Sequence, residues 1–541
     1  MKQTFEEFIP PKSNSVIEFV GETADESDIF LNKEKFLLIN PACKYTVSRN
    51  LEVDIKNADS VILTPSLFEN ITAAKLSDII NEIYKNLNDN TQVIFAIDNV
   101  AFGDNITALL NGQSPTVKTL IGVQELAKII ESSNLKLMKV LKIFRNTVVN
   151  KNLIELSKNE LNIANYVISA VKKSTEIKKT LIQSYLGEVL VCASIRVLQA
   201  NRFIATDAGI EITSADTKKP LNLYPPAAYD KKIFINQRVS FPTVEKGIEI
   251  FNKLVERNYL MVEEMDDHPI LWQKQYEYTQ FINFIACHAL QTSTKPLAEF
   301  FRQFNPHTRV FENQLKRLPP ARDFAAEAAQ NKPVTIFFGA LNRDKDIGEV
   351  LPAINKIAEE YGNKIAFKII AKTELFDIIE STNKIMIGKK EIYNGQYVSY
   401  EEYEQALSSS DIALLPLKDN IFNRAKSDLK FIESAGCGVA VLASPTVYFE
   451  SIEDGKTGLI YHDINEFYNK LKFLIDNPEK RHEMAENAYN YVKNNRLLSQ
   501  HYEERIDWYN ELLARLPELT AETYKRIELL RSNGAAAFGG F

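Results

Sequence analysis

Short β-branched runs alternate with amphipathic stretches along most of the chain. Val16–Val20 (VIEFV), Lys35–Asn40 (KFLLIN), Ser60–Thr64 (SVILT) and Gln92–Asp98 (QVIFAID) are predicted as buried strands. Between them Ala73–Leu87 (AAKLSDIINEIYKNL) places apolar residues at helical spacing, and Val123–Phe144 predicts a helix followed by a strand. Asn165–Lys173 (NYVISAVKK) is a last strand of this part. The alternation predicts a parallel or mixed sheet with crossover helices, closing near residue 173. A second unit, 186–319, carries predicted strands at Glu188–Ile195 (EVLVCASI) and Lys231–Gln237 (KKIFINQ). In it Glu245–Asp267 predicts a helix running into a strand that ends in acids. Arg317–Pro333, with its proline pair and small residues, is the best linker signal. A third unit, 333–495, repeats the pattern through Val334–Asp346, Lys364–Ala371, Asp411–Leu417 and Gly438–Ser444. From Pro478 the pattern is helical and charged, residues 496–541 are expected to be helices with a frayed end, and no internal repeat is present.

Composition narrows this picture by exclusion. The chain has 541 residues, too many for one core. Its net charge of -7 argues against a general nucleic-acid binder, which needs a basic surface. Four separated cysteines, Cys43, Cys192, Cys287 and Cys437, support neither a zinc site nor a disulfide framework. The start, MKQTFEEFIPPK, lacks an apolar signal-peptide core, and no apolar run approaches the ~20 residues that span a bilayer. A cytoplasmic protein is expected, with peripheral contact at the inner face of a membrane or with a biosynthetic complex left open.

Candidate chemistry sits at predicted strand ends. Gly339 ends a buried strand and is followed by Asn342, Arg343 and Lys345; glycine admits close backbone approach and the cations suit phosphate oxygens. Lys426, Lys430 and Glu433 are spaced i, i+4 and i+7, so they share one helix face, while Leu429, Ile432 and Ala435 form the packed face. Ser427 is expected in the first turn, where free N–H groups favour an anion. Two readings stay open for this face: a solvated Lys–Glu surface, or a nucleotide cradle with phosphates at the helix mouth and a ribose diol at the carboxylate. Asp266, Asp267 and His268 follow a strand and suit deprotonation of an acceptor hydroxyl, or they form a turn. Thr292, Ser293 and Thr294 read as an N-cap, His288 as a core residue, and Arg196 and Arg238 as solvated arginines ahead of the alternative, contacts for an anionic lipid-linked acceptor.

FFGALNRDKD, YEEYEQALSSSDIALLPL, KSDLKFIESAGCGVAVLAS and YFESIEDGKTGLIY, in that order, resemble the carboxyl-terminal domain of GT-B glycosyltransferases. The likeness is to the family-4-like type, including rhamnosyltransferases of bacterial surface-polysaccharide clusters. MVEEMDDHP and CHALQTSTKPLAEFFRQFNPHTRVFENQL resemble the acceptor-side domain of the same subgroup. The resemblance implies an α/β protein whose two Rossmann-like domains face a cleft. It also implies transfer of a hexose or deoxyhexose from a nucleotide-sugar to a glycan, lipid-linked glycan or protein, without a metal or other cofactor. Lys345 matches a loop lysine on the donor phosphates, Lys426 and Ser427 a pair near the diphosphate, and Glu433 the ribose-binding second glutamate of an E-x7-E pair. Gly339, Asn342, Arg343, Lys430 and Ser444 complete the implied donor set; Asp266, Asp267 and His268 form the catalytic set. Two positions depart from the pattern: Ala340 replaces an arginine, and Ala425 replaces the first glutamate of the pair.

Residues 1–173 resemble a class I methyltransferase through Ser66–Asn99 and Thr116–Ile143. Aligning Glu18 with the acid of the family's E-x-G-x-G-x-G loop leaves Val20, Glu22 and Ala24 where glycines belong, so S-adenosylmethionine is not expected to bind. The rival readings are a bifunctional methyltransferase–glycosyltransferase and a non-catalytic GT-B scaffold.

Overall fold

The computed structural model describes residues 8–21, 24, 26–69, 71–99, 101–111, 121–144, 163–187, 191–219, 221–328, 332–339, 344–370, 373–387 and 398–539. They form an α/β protein with three six-stranded sheets. The first contains β1 (Ser15–Phe19), β2 (Lys44–Ser48), β3 (Ser60–Leu63), β4 (Gln92–Asp98), β5 (Leu135–Phe144) and β6 (Ile163–Lys172) in the order β2-β1-β3-β4-β6-β5. β1 to β4 are parallel, and β6 runs antiparallel to both β4 and β5. The second contains β7 (Thr180–Leu186), β8 (Ile210–Asp216), β9 (Lys231–Gln237), β10 (Tyr259–Glu264), β11 (Ala289–Thr292) and β12 (Thr308–Val310), ordered β12-β11-β10-β9-β7-β8. The third contains β13 (Val334–Gly339), β14 (Ile365–Ile370), β15 (Lys384–Met386), β16 (Ile412–Leu415), β17 (Ala440–Ala443) and β18 (Leu459–Ile460). Its order, β15-β14-β13-β16-β17-β18, is all parallel and reverses direction between β13 and β16. That is the doubly wound arrangement, which binds ligands outside the carboxyl ends of the strands beside the reversal.

By contact density the chain divides into two compact units. One comprises residues 1–183, 199–213 and 224–233; the other comprises 184–198, 214–223 and 234–541. In the first, Phe19, Val61, Leu63, Val93, Phe95 and Ile168 meet Leu76, Ile80, Leu126 and Ile130 from two helices laid on one sheet face. In the second, Ile336, Phe338, Ile369, Leu414 and Leu442 pack against Ile354, Ile357, Phe467 and Leu471.

Two predicted strands are helices. Lys35–Asn40 falls largely in the helix Glu26–Ile39, and Val191 onward starts a helical segment that becomes a π-helix at Ser194–Leu198. Both are four-to-six-residue apolar runs, and such runs suit a buried helix turn as well as a strand. The end of the chain is not frayed as far as Gly539. Ala535–Ala537 form a helical turn, and Ala535 and Phe538 pack on the core around Phe281, Phe284 and Phe304.

Candidate functional site

The carboxyl ends of β16 and β17 open into a cavity of about 480 Å³ in the second unit. Asp419, Arg424, Lys426, Ser427 and Asp428 line it after β16, Pro445 to Val447 and Phe449 to Ser451 after β17, and Ser293 to Pro296 with Glu312 from the segments after β11 and β12. The helix Leu429–Gly436 begins only after Asp428, so Lys426 and Ser427 precede it instead of sharing its face. The reason is local: Lys426 N–H closes a turn onto Asn423 O, and the Phe431 and Ile432 N–H groups first reach Asp428 O. Inside the helix Phe431, Ile432 and Ala435 are buried as an amphipathic stripe requires.

Glu433 does not point into solvent; it is 4% exposed. Its Oε2 accepts from the Tyr403 hydroxyl (2.9 Å) and from Lys430 Nζ (3.1 Å), and Lys430 also lies 4.1 Å over the Tyr403 ring. Burial first, and Glu433 second, push the Tyr403 phenol well above its ordinary range, so it stays a donor. Lys430 and Glu433 therefore form one buried-edge cluster with Tyr403, separate from the lining of the cavity.

Lys426 and the acidic strand end are brought together. Lys426 Nζ lies 3.2 Å from Asp267 Oδ1 and 4.1 Å from the centre of the Phe422 ring. Arg238 bridges the two acids, with Nε donating to Asp266 Oδ1 (2.6 Å) and Nη2 to Asp267 Oδ2. Burial raises the Asp266 carboxyl above its ordinary value; Arg238 opposes that shift and Asp267 adds to it. His268 is 5% exposed, and its Nδ1 accepts from Ile270 N–H while its ring packs 4.5 Å from Phe300, so burial depresses its basicity. The imidazole caps a turn beside the acids.

Neither arginine read as solvated is so. Arg238 is the bridge just described. Arg196 is 1% exposed on the π-helix: Nε donates to Glu264 Oε1 (2.8 Å), and Nη1 to Phe311 O (2.6 Å) and Asn313 Oδ1 (2.9 Å). Asn313 Nδ2 then donates to Ser427 Oγ (2.8 Å), so a buried polar chain runs from Glu264 to the cavity wall. Thr294 is the N-cap of the helix Lys295–Arg302, and its hydroxyl also donates to Ala425 O (2.9 Å). Ala425 itself is buried in the apolar cluster of Phe281, Ile282 and Phe301.

The other donor-set positions lie apart from the cavity lining. Gly339 ends β13, and a Cβ there would meet the Phe337 ring at 2.3 Å, so packing within the strand already requires glycine. Lys345 is exposed in the short helix Asp344–Gly348. Ser444 is buried, its Oγ accepting from Leu417 N–H (3.0 Å) and tying the ends of β16 and β17. Asn342, Arg343 and Ala340 lie outside the described residues.

Sequence reasoning missed Ser293, Lys295 and Arg424 as cavity residues. Ser293 Oγ is buried, lines the cavity and has no hydrogen-bond partner among the described residues, which an N-cap assignment to the TST run conceals. Tyr403 and Asn313 were likewise invisible, since their partners lie 30 and 114 residues away. Among the described residues no group of three or more potential metal ligands is assembled.

Residues 354–509 match the family model described as glycosyl transferase-like. No curated protein matches the chain in sequence. Among solved structures, HepE of Anabaena, in complex with UDP and glucose, is 13% identical with a TM-score of 0.43, covering 61% of this chain and 98% of that one. Sucrose-phosphate synthase of Thermosynechococcus elongatus is 13% identical with a TM-score of 0.46, covering 62% and 100%. WaaG, a glycosyltransferase involved in lipopolysaccharide biosynthesis, is 11% identical with a TM-score of 0.40, covering 61% and 98%.

Proposed function

We propose that the chain is a nucleotide-sugar-dependent glycosyltransferase of the GT-B type, acting on a hydroxyl of a glycan, lipid-linked glycan or protein in bacterial surface-glycan synthesis. The single observation that carries this reading is the pairing of Lys426 with Asp267 at a cavity beyond β16 and β17. It stands beside the family-model match over residues 354–509. A diphosphate entering the cavity competes with Asp267 for Lys426, and Ser427 and Arg424 add a hydroxyl and a second cation. Lys345 serves the same phosphates, with Gly339, Asn342 and Arg343 completing the donor set. Glu433, held by Lys430 and Tyr403, orients the ribose, and Ser444 holds the strand ends that frame the site.

In the transfer, the bond between the sugar's anomeric carbon and the diphosphate oxygen breaks, its electron pair leaving with the diphosphate. The acceptor oxygen bonds to that carbon, and its proton passes to Asp267 or Asp266 if the configuration inverts. Donor binding thus releases Asp267 from one of its two cations as the base is needed, while Arg238 keeps it oriented. The proposed transfer calls on no metal.

Residues 1–173, 186–319, 333–495 and 496–541 are read as a methyltransferase-like domain, an acceptor-side domain, a donor domain and a helical tail. S-adenosylmethionine is not expected to bind to the first. Gly21 approaches the 66–67 backbone so closely that a Cβ would lie 2.1 Å from Ser66 O, and Glu18 is buried, accepting from the Tyr45 hydroxyl (2.7 Å).

The test is release of nucleoside diphosphate from UDP-, GDP- and dTDP-sugars by the full chain, with and without candidate acceptors. One donor class is expected to be turned over, with Lys426→Ala and Glu433→Ala reducing the rate at least ~100-fold, about 2.7 kcal/mol of barrier, while circular dichroism stays unchanged. Turnover that survives both substitutions overturns the site. The burial of Ala425 where a paired glutamate was expected favours a second reading, a scaffold without catalysis. The scaffold reading wins if no donor is turned over.

A further inference from the structure

The first unit contains a second cavity, of about 360 Å³, that the proposed transfer does not use. It lies over β4, β5 and β6 near Gln92, the first residue of β4. That is the amino end of the parallel strands, opposite to where a doubly wound sheet holds nucleotides. Ile94, Val167, Leu141, Ile210 and Ile212 supply an apolar wall.

Its polar groups are few and under-used. Among the described residues Ser169 Oγ, on β6, is buried without a hydrogen-bond partner. Gln92 is 8% exposed, and among the described residues its side chain makes no hydrogen bond. The Arg202 guanidinium likewise has no hydrogen bond or ion pair among the described residues. Ser169 stands in register between Ile94 on β4 and Lys139 on β5. A break in the β5 register between Leu137 and Lys139 leaves Met138 as an extra residue, the kind of bulge that re-aims side chains beside a site. Lys139 Nζ donates to Ala205 O (2.5 Å) and to Asp207 O, which leaves one N–H of its three. Glu211 at the rim is engaged by the Tyr229 hydroxyl (2.7 Å). Against that one carboxylate stand two cations, Lys139 and Arg202, so the lining carries a net positive charge.

Buried polar groups in native proteins are almost always partnered, so an unpartnered hydroxyl and amide beside an unpaired guanidinium describe an empty seat for an acceptor-rich anion. The apolar wall describes what that anion is attached to. We propose that this cavity binds a small amphipathic anion, a carboxylate or a phosphate monoester on a hydrocarbon body. Arg202 and the remaining Lys139 N–H hold the charge, Ser169 and Gln92 donate to the same oxygens, and the β4–β6 wall covers the hydrocarbon. Burial lowers the Lys139 ammonium to about 8, partly offset by Asp207 and Glu211, and an anion bound beside it favours the charged form further.

The experiment is isothermal titration of the full chain with octanoate, octyl phosphate and octylammonium. Saturable one-site binding of at least one anion is expected, with none of the amine; the stronger of the two anions identifies the head group. Arg202→Gln is expected to weaken anion binding tenfold or more, and Ser169→Ala, which removes only the hydroxyl, to weaken it as well. Either variant that retains the wild-type circular dichroism suffices for the comparison. Absence of saturable binding by both anions, equal binding of the amine, or an affinity unchanged in a folded variant overturns the proposal.

Discussion

Arg238 holds the two strand-end acids with two nitrogens of one guanidinium, and Lys426 takes the second oxygen of Asp267. Removing the guanidinium leaves two partly buried carboxylates side by side, and like charges at that range cannot both ionise easily. Asp266 already sits above its ordinary range through burial, so Arg238→Met should raise it further. The acidic limb of the pH–rate profile is expected to move up by at least ~1 unit. An unmoved limb would mean that Asp266 is not the group behind it. His288 gives a second residue-scale test. It is fully buried; its Nδ1 accepts from Met261 N–H (2.9 Å) and its Nε2 meets Thr520 Oγ1 (3.0 Å), and burial, with Arg526, depresses it to about 3. Below its unfolded value of ~6.5, only the unfolded chain takes up this proton. Stability is therefore expected to fall as pH drops from 6.5 towards 3, by about 1.4 kcal/mol per unit from this group. Urea midpoints at pH 7 and pH 5 should converge more in His288→Gln than in the wild type. At this scale the sequence shows which residues carry chemistry, since acids after an apolar strand stand out. It hides their partners, because Arg238–Asp266 and Asn313–Ser427 are contacts made only by the tertiary fold.

The helix Leu429–Gly436 shows what an element adds. Its amphipathic stripe is readable from spacing, but its start is set by Asp428, whose carboxylate is held by Arg496 Nη1 (2.5 Å) and Nη2 (3.0 Å). Arg496 is 5% exposed and also donates to Gln314 Oε1 (3.0 Å) and Asn313 O (2.9 Å), fastening the segment after β12 to the helix start. Truncating one member of a buried charged pair leaves the other uncompensated, at a cost of about 3–5 kcal/mol. Arg496→Ala should show that loss in urea unfolding, and Asp428→Asn in the same background should recover part of it. A loss below ~1 kcal/mol would place the pair among weak surface bridges. Elsewhere the element reading succeeded where periodicity was long, as in Ala73–Asn86 and Val123–Ser132, and on short runs such as Ser60–Leu63 and Lys231–Gln237, but failed on the apolar runs at Lys35–Asn40 and from Val191. β2 and β7 passed unnoticed, because KYTVS and TLIQSYL mix polar residues into a strand whose burial only its sheet neighbours reveal.

On the scale of the molecule, the α/β class follows from alternating runs, but the return of the chain end does not. The helix Leu516–Asn533 comes after the third sheet, yet it packs on the core beneath β10 and β11 with Leu519, Thr523, Ile527 and Leu530 buried. Its polar face is committed as well. Arg526 Nη2 donates to Cys287 O (2.7 Å), Thr523 Oγ1 to the same carbonyl (3.2 Å), Tyr524 OH to Asn252 Oδ1 (3.0 Å), and Glu522 meets His307 Nε2 (2.5 Å). A charged, weakly patterned tail shows none of this in sequence, since its apolar positions are diluted by residues whose partners lie more than 200 positions earlier. Leu519, Ile527 and Leu530 together bury three large side chains, at roughly 1.5–3 kcal/mol each as an upper estimate. That sum is comparable to the whole margin of an ordinary domain, about 5–15 kcal/mol. A chain ending at Arg515 should therefore lose cooperative unfolding of this unit, while Ile527→Ala in the full chain should cost about 2–5 kcal/mol and keep it. Thermal unfolding followed by tyrosine and tryptophan fluorescence distinguishes the outcomes. If the shortened chain melts within ~2 °C of the full one, the helix is an appendage and not part of the core that positions β10 and its terminal acids.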